Sequence, residues 1–111
     1  MLRTICDVKI KSPVATKWEK AKAIFDTNIP TDKVSERTIN KLKIDGVVGE
    51  EVFIHVKILG EELSWPFQVV KNLEADVLFG EEFIQVNGIV IDPSKHGGVK
   101  FAPGYPQAPV I

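Results

Sequence analysis

The sequence predicts a small, mainly β domain, and three observations carry that expectation. Val and Ile together number 26 of 111 residues, against 6 Leu, and branching at Cβ favours the pleated, half-buried surface of a strand. Several segments alternate apolar and polar residues with period two. Only one stretch carries the 3.6-residue period of a helix, and it is short.

The elements follow in order. Residues 2–10, LRTICDVKI, place Leu2, Thr4, Cys6, Val8 and Ile10 on one face and Arg3, Ile5, Asp7 and Lys9 on the other. KSPVAT is a turn or hairpin, because Pro13 removes a ladder donor. KWEKAKAIF alternates again, and its last three residues, Ala23 to Phe25, are apolar on both faces, so this strand ends inside the core. SERTINKLKI is the helix: Ser35 caps it, Glu36 suits its first turn, and Ile39 and Leu42 form its apolar stripe. DGVVGE, 45–50, is a glycine-bearing connector. EVFIHVKILG turns Val52, Ile54, Val56 and Ile58 inward, and LSWPFQVV returns as its hairpin partner. ADVLFG is a short apolar strand ending at Gly80. EEFIQVNGIVIDPS reads as a short turn and a strand pair broken at Asn87-Gly88, a tight-turn signal. Residues 97–111 form a Pro/Gly-rich tail, too short for an independent element.

The length fits one domain with a modest core. Charge is nearly balanced, 14 basic against 15 acidic residues, so nothing in the total points to nucleic acid or an anionic membrane. No segment is long and apolar enough to span a bilayer. The N-terminus lacks the apolar stretch of a signal peptide. The single cysteine, Cys6, cannot form an intramolecular disulfide and reads as a small core residue in a reducing, cytoplasmic setting. His55, His96 and Cys6 show no metal-ligand spacing, and no cofactor is implied. Trp18 and Trp65 read as packing residues. Lys17, Lys20 and Lys22 read as solvated residues protecting an edge strand.

One feature resists this plain reading. The apolar strand AKAIF runs into Asp26, Thr27 and Asn28, and then Ile29-Pro30. Alone, such a triplet is ordinarily a turn or a cap. Together with the element order and a second block, Leu78-Phe79-Gly80 followed by Glu81-Glu82-Phe83-Ile84, it resembles the retropepsin-like aspartic proteases, over about residues 1 to 95. In that family an apolar pair precedes Asp-Thr/Ser-Gly, and a later apolar-apolar-Gly leads into a helical turn.

The resemblance implies a closed β-barrel of the acid-protease type with one short helix, spanning 1–96 and followed by the 97–111 tail. It implies an aspartic endopeptidase that hydrolyses peptide or protein substrates, with Asp26 from each chain of a homodimer forming the catalytic pair. Two carboxylates at close range share one proton, so one acts as base toward a water and the other as acid. Thr27 would lock the two loops across the dimer axis, and Asn28 stands where the family has glycine. Gly46, Val47, Val48 and Gly49 would tip a short flap over the substrate, where retroviral enzymes carry a long glycine-rich hairpin. The alternative is a non-catalytic dimeric module of the same fold, binding an extended peptide or protein partner by strand addition. A monomeric β domain in which Asp26 merely caps a turn is the third reading.

Overall fold

A computed structural model describes residues 2–92, 94–95 and 97–104. His96 and the end of the tail, 105–111, lie outside them. Six strands close into a barrel: β1 (Arg3–Lys11), β2 (Glu19–Asp26), β3 (Lys33–Ser35), β4 (Glu51–Ile58), β5 (Glu61–Val70) and β6 (Val77–Phe79), in spatial order β1-β2-β6-β3-β5-β4. A separate pair, β7 (Ile89–Ile91) and β8 (Val99–Phe101), is antiparallel. The expected all-β barrel is present, with the alternation read from the sequence. Thr4, Val8 and Ile10 of β1 are buried, and so are Val52, Ile54, Val56 and Ile58 of β4.

Two antiparallel hairpins build the wall. β1 pairs with β2 from Arg3↔Asp26 to Ile10↔Glu19. β4 pairs with β5 from Glu51↔Gln68 to Ile58↔Glu61. The β4–β5 turn is Leu59-Gly60, both at positive φ (52° and 82°), the backbone of a two-residue type I′ hairpin turn. β1 and β4 close the barrel through only three pairs, Lys9↔Lys57, Ile10↔Val56 and Lys11↔His55.

The helix expected at Ser35 is α1 (Glu36–Lys41). Ser35 Oγ accepts from Thr38 N–H at 3.2 Å, as an N-cap does. The helix ends in a Schellman motif: Lys43 sits at φ 58°, Ile44 N–H donates to Ile39 O, and Lys43 N–H donates to Asn40 O.

Three expectations need correction. The barrel carries two short helices rather than one, since Glu81–Val86 forms α2. Asn87-Gly88 is not the turn of a strand pair. Asn87 is the C-cap of α2, and Gly88 follows at φ 62° with its N–H on Gln85 O. The same conformational licence serves a hairpin turn or a helix end, and the buried Phe83 and Ile84 decide for the helix. Finally, Val99–Phe101, in the stretch expected to hold no element, is strand β8 on β7.

The core is centred on aromatic rings at the end of β2. Phe25 stacks on Phe79 with centroids 4.8 Å apart, and Phe79 meets Phe83 at 4.2 Å and Phe67 at 5.5 Å. All four are fully buried. Such rings contribute both area and favourable pair geometry. On the other face of the same strands, Ile24 and Leu78 form a smaller cluster with Ala75. β2 and β6 run parallel, with Ile24↔Leu78 and Phe25↔Phe79 in register. The two apolar blocks of the sequence therefore lie side by side, and the residues that follow them, Asp26 and Gly80, leave the barrel at the same level.

Candidate active site

β2 delivers Asp26 to the rim of the barrel, where it is buried. Its Oδ1 accepts the Asn28 N–H at 2.8 Å, which fixes the carboxylate within its own loop. Its Oδ2 lies 3.7 Å from Arg3 Nε, and the same guanidinium reaches Glu74 at 2.8 Å. Register places Arg3 there, because it is the residue opposite Asp26 in the β1–β2 ladder.

The ladder continues one residue further. Thr27 N–H donates to Leu2 O at 3.0 Å, and Leu2 N–H donates to Thr27 Oγ1 at 3.1 Å. The Thr27 hydroxyl also lies 3.3 Å from Leu2 O. Within one chain, the hydroxyl of Thr27 is thus engaged by Leu2.

Beyond Asn28 the loop is pinned against Gly80. Glu81 N–H donates to Ile29 O at 2.6 Å and Glu82 N–H to Pro30 O at 3.3 Å. A Cβ at Gly80 would collide with the carbonyl oxygens of Ile29 and Thr31. The glycine of the second sequence block is therefore required by close backbone approach, not by its dihedral angles.

Sequence reading missed Asp32. It is buried where the loop enters β3 and is held by elements far away in the chain. Trp65 Nε1 donates to its Oδ2 at 2.8 Å, and Gly80 N–H donates to its Oδ1 at 2.7 Å. Burial pushes its carboxyl up to about 6, against the downward pull of these donors and of Phe83 N–H. No local signal distinguishes this acid, because its partners lie 33 and 48 residues downstream.

The segment expected as a short flap lies at the entry to β4. Glu50 N–H donates to Val47 O, and Gly49 N–H donates to Val69 O on β5, so it is a tight turn docked on the wall. Gly46 packs inward, since a Cβ there would press on Val52. Val47 and Val48 are exposed. Gly49 shares a groove of about 300 Å³ with Thr31, Asp32, Glu51, Pro66, Gln68 and Glu82. The structure thus brings the end of the Asp26 loop and the Gly49 turn to one groove. A second groove, about 640 Å³, lies on the outer wall and is lined by Lys22, Asp76 and neighbours rather than by the Asp26 loop.

Cys6 is half-buried, and burial with the neighbouring Asp7 charge pushes its thiol up to about 11, which disfavours the reactive thiolate. His55 is half-buried, and burial lowers its pKa. Among the described residues no three His, Cys, Asp or Glu side chains gather to hold a metal ion. No helix among them is long and apolar enough to cross a membrane.

A closed six-stranded barrel whose β2 and β6 end together at an Asp-Thr loop and a Gly-helix turn is the retropepsin-like fold. Comparison with solved structures bears on that fold directly. The crystal structure of the retroviral protease-like domain of Ddi1 from Leishmania major superposes with a TM-score of 0.67 at 17% identity, covering 88% of this chain and 86% of that one. No family sequence model and no curated protein sequence matches the chain.

Proposed function

We propose that the chain is an aspartic endopeptidase of the retropepsin type, working as a homodimer in the cytoplasm on extended peptide or protein substrates. The observation that carries this reading is the placement of Asp26. It is a buried carboxylate at the barrel rim, at the end of the strand paired with the Gly80 turn, with one oxygen fixed by its own loop. Each chain has one such aspartate, so the pair needed to share a proton comes from two copies about a two-fold axis. The dyad would polarise a water with one carboxylate and protonate the developing oxyanion with the other. Gly46, Val47, Val48 and Gly49 would border the substrate, and no cofactor is needed.

Three features support the second reading, a dimeric module that binds an extended peptide without cleaving it. Asn28 places a side chain where the family has glycine. The Thr27 hydroxyl is engaged by Leu2 rather than free to lock a partner loop. Arg3 already engages Asp26, its Nε 3.7 Å from Oδ2.

Digestion of a mixed peptide library by the parent chain, Asp26→Asn and Asn28→Gly, from acidic to neutral pH, separates the two. A peptidase gives cleavage by the parent that Asp26→Asn abolishes and a statine-type inhibitor blocks. Faster cleavage by Asn28→Gly would identify Asn28 as a brake. Equal background from all three, with retained binding of peptides, assigns the module. A sedimentation mass of a single 12.3 kDa chain at micromolar concentration removes the dyad.

A further inference from the structure

The outer wall made by β2, β1 and β4 carries a charge pattern that a closed barrel does not require. Lys20 lies opposite Lys9, and Lys9 lies opposite Lys57. Lys9 and Lys20 are exposed and Lys57 is partly so. Three lysine side chains thus start from one row across three adjacent strands, whose backbones lie about 4.8 Å apart. Like charges directly opposite one another destabilise a sheet. Edge protection, the reading made for Lys20 from sequence, does not extend to Lys9 and Lys57. Lys9 sits between β2 and β4, and Lys57 between β1 and β5.

Neutralisation of the row is incomplete. Lys57 reaches Glu62 at 3.9 Å. Lys22, one row away, takes Asp7 at 2.7 Å. Lys9 and Lys20 make no ion pair among the described residues. The ring of Trp18 has Lys57 Nζ at 4.9 Å and Lys11 Nζ at 5.1 Å from its centroid, which brings one further charge, Lys11, to the end of the row.

These lysines line the 640 Å³ groove, with Leu59 and Gly60 of the hairpin turn at its lip. Asp7 and Asp76 also border it, but Asp7 pairs with Lys22 at 2.7 Å, and the Asp76 carboxylate serves Lys22 N–H at 2.8 Å and the Thr38 hydroxyl at 3.2 Å. That volume is in the range of small-ligand sites.

We propose that this groove binds an anion of several linked phosphates. A row of three cations asks for several negative charges close together in one molecule, and in a chain of linked phosphates each phosphate brings at least one charge and the terminal one more, with several acceptor oxygens. Lysine binds phosphate as a point charge, whereas planar carboxylate recognition favours the arginine fork. Every cation lining this groove is lysine. The near-zero charge of the whole chain conceals a groove in which four lysines meet two aspartates. The site is independent of the peptidase reading.

The test uses the full chain, with thermal unfolding and calorimetric titration at low salt. The probes are inorganic tripolyphosphate, ATP, orthophosphate, poly-glutamate and single-stranded oligo-dT. Tripolyphosphate should raise Tm in a saturable way and lose its effect as salt rises. Orthophosphate should bind more weakly. Equal affinity for ATP and tripolyphosphate means the phosphates alone are read, and tighter ATP binding makes the nucleotide the source. Lys9→Gln/Lys20→Gln should lose at least about tenfold in tripolyphosphate affinity, while its ligand-free Tm equals or exceeds the parent's because the row is relieved. If the double variant does not fold, each single variant should lose at least about threefold. Lys33→Gln, away from the groove, should bind as the parent does. Affinity of the row variants within about twofold of the parent overturns the proposal. So does poly-glutamate binding as tightly as tripolyphosphate, or oligo-dT binding that tripolyphosphate does not displace.

Discussion

The indole nitrogen of Trp65 lies 2.8 Å from Oδ2 of Asp32, a bond that ties the hairpin strand β5 to the end of the loop carrying Asp26. A donor to a buried carboxylate stabilises more than a neutral pair does. Trp65→Phe keeps an aromatic ring, including part of its edge contact with Phe83, and removes the donor. The expected cost is about 1.5–3 kcal/mol at neutral pH, read from urea unfolding. A cost near zero would show that the carboxylate finds another donor.

Asp32 also sets a pH dependence, and its sign follows from the direction of the shift. Its folded pKa is raised from 3.8 to about 6, so the folded state holds the proton more tightly than the unfolded chain. Its contribution to stability is full below the unfolded value and is lost as pH rises through about 6. The stability difference between the parent and Asp32→Asn should therefore grow in the parent's favour as pH falls from roughly 7 to 4. Carboxyl NMR of Asp32 should give a midpoint near 6. An ordinary midpoint would mean the site is wetter than its burial indicates.

Gly80 admits no side chain. Gly80→Ala drives a methyl group against the Ile29 and Thr31 carbonyls, and backbone yields less readily than a flexible side chain. The expected loss is about 3 kcal/mol, the upper end of ordinary overpacking. If peptide cleavage or binding is observed, Gly80→Ala should reduce it, because the Asp26 loop must move to make room. Unchanged unfolding would place Gly80 away from that loop.

Arg3→Gln tests the environment of Asp26. The Arg3 side chain is 41% exposed, so the pair contributes little to stability. If peptide cleavage is observed, Arg3→Gln should change its rate while leaving stability within about 0.5 kcal/mol of the parent, because Arg3 contacts the Asp26 carboxylate. An unchanged rate would mean that Arg3 turns away from Asp26 during cleavage.

What the sequence disclosed follows from the range of the interactions. The strands of the two hairpins were legible because their alternation is local, as in Val52, Ile54, Val56 and Ile58. The parallel pairing of β2 with β6 became legible only through resemblance, since Phe25 and Phe79 are brought into register from opposite halves of the chain. α2 was read as a turn because Asn87-Gly88 fits a helix end and a hairpin equally well. β8 was missed because three residues among prolines and glycines carry too little periodicity, and its strand character comes from β7. Asp26, Thr27 and Asn28 stood out as a local motif. Arg3 and Asp32 did not, because their roles are defined by partners remote in sequence.

The short strand β3 bears on how the molecule breathes. Each hairpin is a long, continuous ladder, whereas the junctions that close the cylinder are short: three pairs each for β1–β4, β2–β6 and β3–β5, and two for β3–β6. Sub-global opening draws on the least extensive contacts, so the cylinder should part first at β3, while the two hairpins stay closed. Amide protons of Lys33 to Ser35 would then exchange through a lower-energy opening than those within the hairpin ladders. Such an opening would free the far end of the loop that begins at Asp26.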